Sequence, residues 1–137
     1  MINDIGLQLK KQFHDIKIYR EQKAQGFEAP AFFVHEVFTD HKDELMDYQF
    51  VTKRFAIMYF PQSEMESKEE CEKIGNELVT SFTFLESCKC KVMNRTYEIV
   101  DNTTQFLFNV RYRIVLDKEE GTLQSLEDEL KGELYEG

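Results

Sequence analysis

Apolar residues recur along this chain with two different periods, and each change of period marks a new element. Ile2, Ile5, Leu9 and Phe13 repeat at helical spacing with Leu7 beside them, which predicts a first helix over residues 2–13, weakened modestly by Gly6. A short strand is expected at 16–20, followed by a polar connection over 21–29. Gly26 in that connection suits a positive φ, and Pro30 suits the first position of a strand. Ala-Phe-Phe-Val-His-Glu-Val-Phe over 31–38 is the second strand. Over 48–60, Phe50, Thr52, Arg54, Ala56 and Met58 alternate against Val51, Lys53, Phe55, Ile57 and Tyr59, a third strand closed by Pro61. Residues 39–47, polar apart from Leu45 and Met46, join the second and third strands as a long hairpin connection whose tip is expected to project beyond the sheet.

Downstream, Ser63 or Ser67 is placed to cap a second helix, and Glu66, Glu69 and Glu70 suit its positive N-terminal end. Cys71, Ile74, Leu78, Val79, Phe82 and Leu85 mark its buried face. Residues 88–93 fit either a loop or a short strand. A last hairpin is predicted over 96–100 and 105–116, turning at Asp101-Asn102-Thr103. Phe106, Phe108, Val110, Tyr112, Ile114 and Leu116 line one face of its second arm, while Leu107, Arg111, Arg113 and Val115 line the other, a mixture that implies partial exposure or a neighbour. The expected fold is α+β: an antiparallel sheet of about four to five strands packed against two helices, in the order α-β-β-β-α-β-β, plus an acidic C-terminal tail or helix. The boundary of the domain is expected at 1–116, with 117–137 as an extension.

With 137 residues, 42% of them apolar and twelve Phe, the chain has the material for one globular core. Its net charge of -9 is uneven, because residues 117–137 carry eight acids against Lys118 and Lys131 and so hold -6 of it. No basic stripe is available to release counterions from phosphates, which disfavours stable nucleic-acid binding. Within the acidic segment Leu123, Leu126, Leu130 and Leu134 recur at helical spacing despite Gly132. Four such leucines are costly to leave in water, at about 1.5–3 kcal/mol each when fully buried, so docking on another subunit or partner is expected, with a solvated, frayed tail as the alternative reading. No run approaches the roughly 20 apolar residues that span a bilayer, and the first residues do not read as a secretion signal, so no membrane is implied and a cytosolic chain is expected. Cys71, Cys88 and Cys90 lack metal-type spacing and read as reduced thiols.

Candidate chemistry is sparse. The densest polar cluster is His35-Glu36, Asp40-His41 and Asp43-Glu44, yet neighbouring strand residues point to opposite faces, so these groups are read as solvated rather than as a metal site. His14-Asp15, at the end of the first helix, more simply places a histidine at a negative helix end. No phosphate loop, nucleophile elbow or Cys-His pair is present, so no catalytic residue, metal or cofactor is expected. The aromatic residues fall at strand periodicity and read as core rather than as a platform for bases. What remains are candidate interface positions: Asp40, His41, Lys42, Asp43, Glu44, Leu45 and Met46 in the hairpin connection; Lys53, Arg111 and Arg113 on strand faces expected to be exposed; and the four leucines of the acidic segment.

Ile2-Asn3-Asp4-Ile5, Ile18-Tyr19 with Gln25-Gly26-Phe27 and Pro30-Ala31-Phe32-Phe33, then Tyr59-Phe60-Pro61 and Thr96-Tyr97-Glu98-Ile99-Val100-Asp101, occur in an order and spacing that resembles the phage tail terminator family of low-GC Gram-positive phages. The similarity spans about residues 1–116 and is carried by framework residues, with no catalytic signature. The resemblance implies a structural virion protein, assembled in the host cytoplasm into a hexameric ring on the head-proximal end of a tail tube. Such a ring stops tube polymerisation, offers a surface to head-connector proteins, and lets DNA pass without binding it. In contractile tails and headless phage-tail-like particles the resemblance extends to contact with the sheath. Another neck or tail-completion subunit, and a small phage-encoded module binding a host protein, are the alternative readings.

Overall fold

The computed structural model describes residues 1–20, 26–43 and 48–115. The elements run α1 (Ile2–Gln12), β1 (Lys17–Tyr19), β2 (Ala31–Asp43), β3 (Tyr48–Phe60), α2 (Ser67–Ser81), β4 (Phe84–Leu85), β5 (Cys90–Val100) and β6 (Thr103–Val115). The strands form one six-stranded sheet in the order β1-β2-β3-β6-β5-β4. It is mixed, because β1 pairs with β2 in parallel while every other pairing is antiparallel.

Both helices lie on one face. Ile5 and Leu9 from α1, and Cys71, Ile74 and Leu78 from α2, pack with Phe32 and Val34 of β2, Phe55, Ile57 and Tyr59 of β3 and Phe106, Phe108 and Val110 of β6. That face follows from the strand alternation: Phe32 is opposite Tyr59, Val34 opposite Ile57, Ile57 opposite Phe106 and Phe55 opposite Phe108, so each apolar set falls in register with the next. Gly75 allows α2 to approach β5 closely; a Cβ there would stand 2.4 Å from Cδ2 of Tyr97. Helix α2 is also held at its C-terminal end, where Arg95 donates from Nε to the Val79 carbonyl at 2.9 Å. Asp4, buried in α1, accepts from Ser87 Oγ at 2.6 Å and so ties α1 to the turn between β4 and β5.

Several boundaries differ from the expected ones. Residues 39–43 are not a connection but the distal part of β2, because a partner strand satisfies their backbone: Thr39 is opposite Lys53 and Asp43 opposite Gln49. Residues 90–93 belong to β5, and the final turn is only Asp101 and Asn102, both at positive φ, in the manner of a type I′ hairpin; Thr103 and Thr104 already pair with β5. Leu85 lies in β4 rather than on α2, giving an edge strand too short to show any period. Glu66, not a serine, is the N-cap of α2 and makes no side-chain cap bond; Ser63 Oγ instead accepts from the Glu66 amide at 3.0 Å.

Candidate functional surface

The described residues cover only part of the sheet face opposite the helices. At one end Phe27 packs against Phe33 and Phe60, with ring centroids 5.2 and 5.0 Å apart, and Tyr19 stacks on Phe33 at 5.1 Å. Farther along, the strand registers place Phe38 opposite Arg54 and Arg54 opposite Asn109, Thr52 opposite Arg111, and Phe50 opposite Arg113. Arg54 donates from Nη1 to Asn109 Oδ1 at 2.8 Å. The Arg111 guanidinium lies 4.1 Å from the Phe50 ring centroid, and that of Arg113 lies 4.7 Å from Phe50 and 5.1 Å from Tyr48. Planar cations resting on aromatic faces form a strip that is both basic and apolar. It ends at Val115, which is 54% exposed, and is flanked by Phe38 at 46%.

The second surface is an edge. Strand β1 pairs with β2 only through Ala31, Phe32 and Phe33, so beyond Phe33 one side of β2 has no partner strand among the described residues. Residues 35–43 are all exposed. A β-bulge at Val37 and alternating charges interrupt this edge, features that discourage indiscriminate strand addition.

The bulge also resets which side chains meet. Glu36 and Thr39, three residues apart, both fall on the helix-bearing side, and Thr39 Oγ1 donates to Glu36 Oε1 at 2.6 Å. Lys53 reaches the same oxygen at 3.1 Å and is only 6% exposed. This corrects the expectation that Lys53 lies on an exposed strand face: alternation puts it beside Val51 and Phe55 on the buried side. Burial opposes ionisation of Glu36, but the Thr39 hydroxyl and the Lys53 ammonium outweigh it and hold the carboxyl below its ordinary range.

At the junction of β3 and α2, Glu70 accepts from Tyr59 Oη at 2.7 Å and from the amides of Gln62 at 2.6 Å and Ser63 at 3.2 Å. Burial again raises its pKa, and these three donors bring it below the usual carboxylate value. Tyr59 is pushed upward, first by burial and then by the Glu70 carboxylate it faces. The cluster fixes the turn after Pro61; it is an architectural clamp, since every oxygen is engaged by the chain itself.

Of the expected interface residues, Arg111 and Arg113 stand together on the open face. Asp40 and Lys42 point to that same face, and His41 and Asp43 to the other, where Asp43 Oδ1 accepts from Gln49 Nε2 at 2.8 Å. The strand therefore separates the groups of the polar cluster, and no set of three or more metal-ligating side chains gathers among the described residues. His14 lies 3.9 Å from Asp15, both exposed. Glu44, Leu45, Met46, Leu116 and the four leucines of the acidic segment lie outside the described residues. Arg54, Phe50, Tyr48 and Phe38 were not among the expected interface positions. Arg54 and Phe50 share a face by alternation, but only the register of β3 with β6 brings them to Arg111 and Arg113.

No described helix is long and apolar enough to cross a membrane. Residues 1–122 match a family model described as phage tail terminator protein. A search of curated proteins returns no match.

Proposed function

Because the chain belongs to the phage tail terminator family, we propose that it closes the head-proximal end of a tail tube as a ring of six subunits. Membership makes it a structural component of a phage tail. The ring, the tube contact and the surface offered to head-connector proteins, or to a sheath where the tail is contractile, are our reading of how it acts. Assembly takes place in the host cytoplasm.

The observation that carries this reading is the side of β2 beyond Phe33, which has no partner strand among the described residues. A terminator has to mate with the last ring of the tube without templating another. An edge broken by a bulge and mixed charges suits that task, because it accepts only a partner with matching register and charge. The net charge of -9 suits a ring through which DNA passes without being gripped. Nothing in this role calls for a catalytic group or a cofactor.

Native mass spectrometry of the purified full chain, alone and with its tube protein, is the direct test, read beside negative-stain images. A six-fold species, formed alone or on the tube, is expected. A chain that stays monomeric and never joins tube ends would refute the assignment.

A further inference from the structure

We propose that the acidic C-terminal segment, residues 117–137, docks on the arginine-aromatic strip of its own subunit's open sheet face. Three observations meet here. The strip carries Arg54, Arg111 and Arg113 beside exposed apolar surface, and among the described residues no carboxylate forms a salt bridge with Arg111. The segment carries eight acids and four regularly spaced leucines, so it is complementary to the strip in charge and in apolar character together. Strand β6 ends at Val115, on the same face as Arg111 and Arg113 and two residues from the latter, so the segment begins where the strip begins.

The lengths agree. Residues 116–121, ending in Gly121, suffice for a reversal of direction, and residues 122–134, if helical, span about 20 Å at 1.5 Å per residue. That is close to the roughly 20 Å spanned by the six residue-to-residue steps of β6 from Arg113 back to Leu107, at about 3.3 Å each. In a helix Glu127 and Glu133 flank the stripe of leucines on opposite sides, within reach of arginines bordering the apolar ground of Phe50 and Leu107. Attachment four residues after Arg113 raises the local concentration of the segment far above that of any second copy in dilute solution, which favours the subunit's own strip over a neighbour's. The inference does not rest on the ring, since it concerns the free subunit.

The chain contains no tryptophan, so Leu130→Trp in the full-length protein introduces a single reporter. Its emission is expected to be blue-shifted, independent of protein concentration, and to move to the solvent-exposed wavelength in the background R111E/R113E or at high salt. Adding E127K/E133K to R111E/R113E should restore the blue shift. If R111E/R113E does not fold by circular dichroism, E127K/E133K alone reads the same contact from the other side and should also expose the reporter. Solvent-like emission in the parent background would overturn the proposal, as would a blue shift indifferent to these charges. A blue shift that appears only as concentration rises would assign the segment to another copy and equally refute docking within the subunit. Because emission is read on the monomer and ring formation by mass, failure of one does not imply failure of the other.

Discussion

Lys53 is a cation on the buried side of a sheet, and its only described carboxylate partner, Glu36, is itself partly exposed. Glu36→Ala would leave that ammonium desolvated and unpaired, so chemical denaturation should register a loss of about 1–3 kcal/mol, less than for a fully buried pair. Lys53→Met keeps the volume and removes the charge; its stability should fall within about 1 kcal/mol of the parent or exceed it. A larger loss for Lys53→Met than for Glu36→Ala would show that the pair contributes net stability. Glu36 and Glu70 also set a pH dependence. Both have folded pKa values lowered from 4.5, so the stability they supply is present above the unfolded value and is lost as pH falls through the folded one. Urea midpoints should therefore drop on acidification, and Glu70→Gln should remove part of that drop.

At the scale of elements, the close approach of α2 to β5 depends on a missing side chain. Gly75→Ala gains about 1 kcal/mol of helix propensity but drives a methyl into the Tyr97 ring, a cost of about 1–3 kcal/mol in a packed interior. The contact of 2.4 Å, with a second ring atom at 2.5 Å and Cγ at 2.9 Å, decides the sign, because a ring held by its Cγ cannot swing away cheaply. Thermal unfolding should occur at lower temperature in Gly75→Ala. Combining it with Tyr97→Ala should cost less than the sum of the two single changes, since the clash disappears with the ring. The clamp on the β3–α2 turn is of the same scale: Glu70→Ala frees two amides and the Tyr59 hydroxyl, and about 1–3 kcal/mol of stability should go with it.

For the whole molecule, charge governs association. Subunits carrying -9 each repel one another when brought into a ring, and the repulsion is screened over about 10 Å at 0.1 M salt. The proposed six-fold species should therefore grow at the expense of monomer as ionic strength rises, by native mass spectrometry or light scattering. A ring that dissolves on adding salt would mean that ion pairs between subunits, rather than shape and strand edges, hold it together.

Much of this architecture is written in local periodicity. The alternation over 48–60 determines β3 to the residue, and the helical spacing of Ile5, Leu9, Cys71, Ile74 and Leu78 determines which faces of α1 and α2 are buried, because these patterns reflect burial along a single element. Apolar alternation likewise assigns the two faces of β6. Charged residues in a strand carry no such signal, which is why residues 39–43 read as a loop until β3 supplied their hydrogen-bonding partners. The parallel pairing of β1, the two-residue β4, the bulge at Val37 and the pairing of Lys53 with Glu36 all depend on which strands become neighbours and in what register. The arginine-aromatic strip is of that kind too: composition argued only against a basic stripe in the sequence, and Arg111 and Arg113 meet over Phe50, with Arg54 bonded to Asn109 on the same face, because antiparallel pairing sets residues 50–54 beside 109–113. Periodicity along one strand decides what is buried; contacts between residues more than fifty positions apart are decided by the sheet, since only tertiary pairing fixes their register.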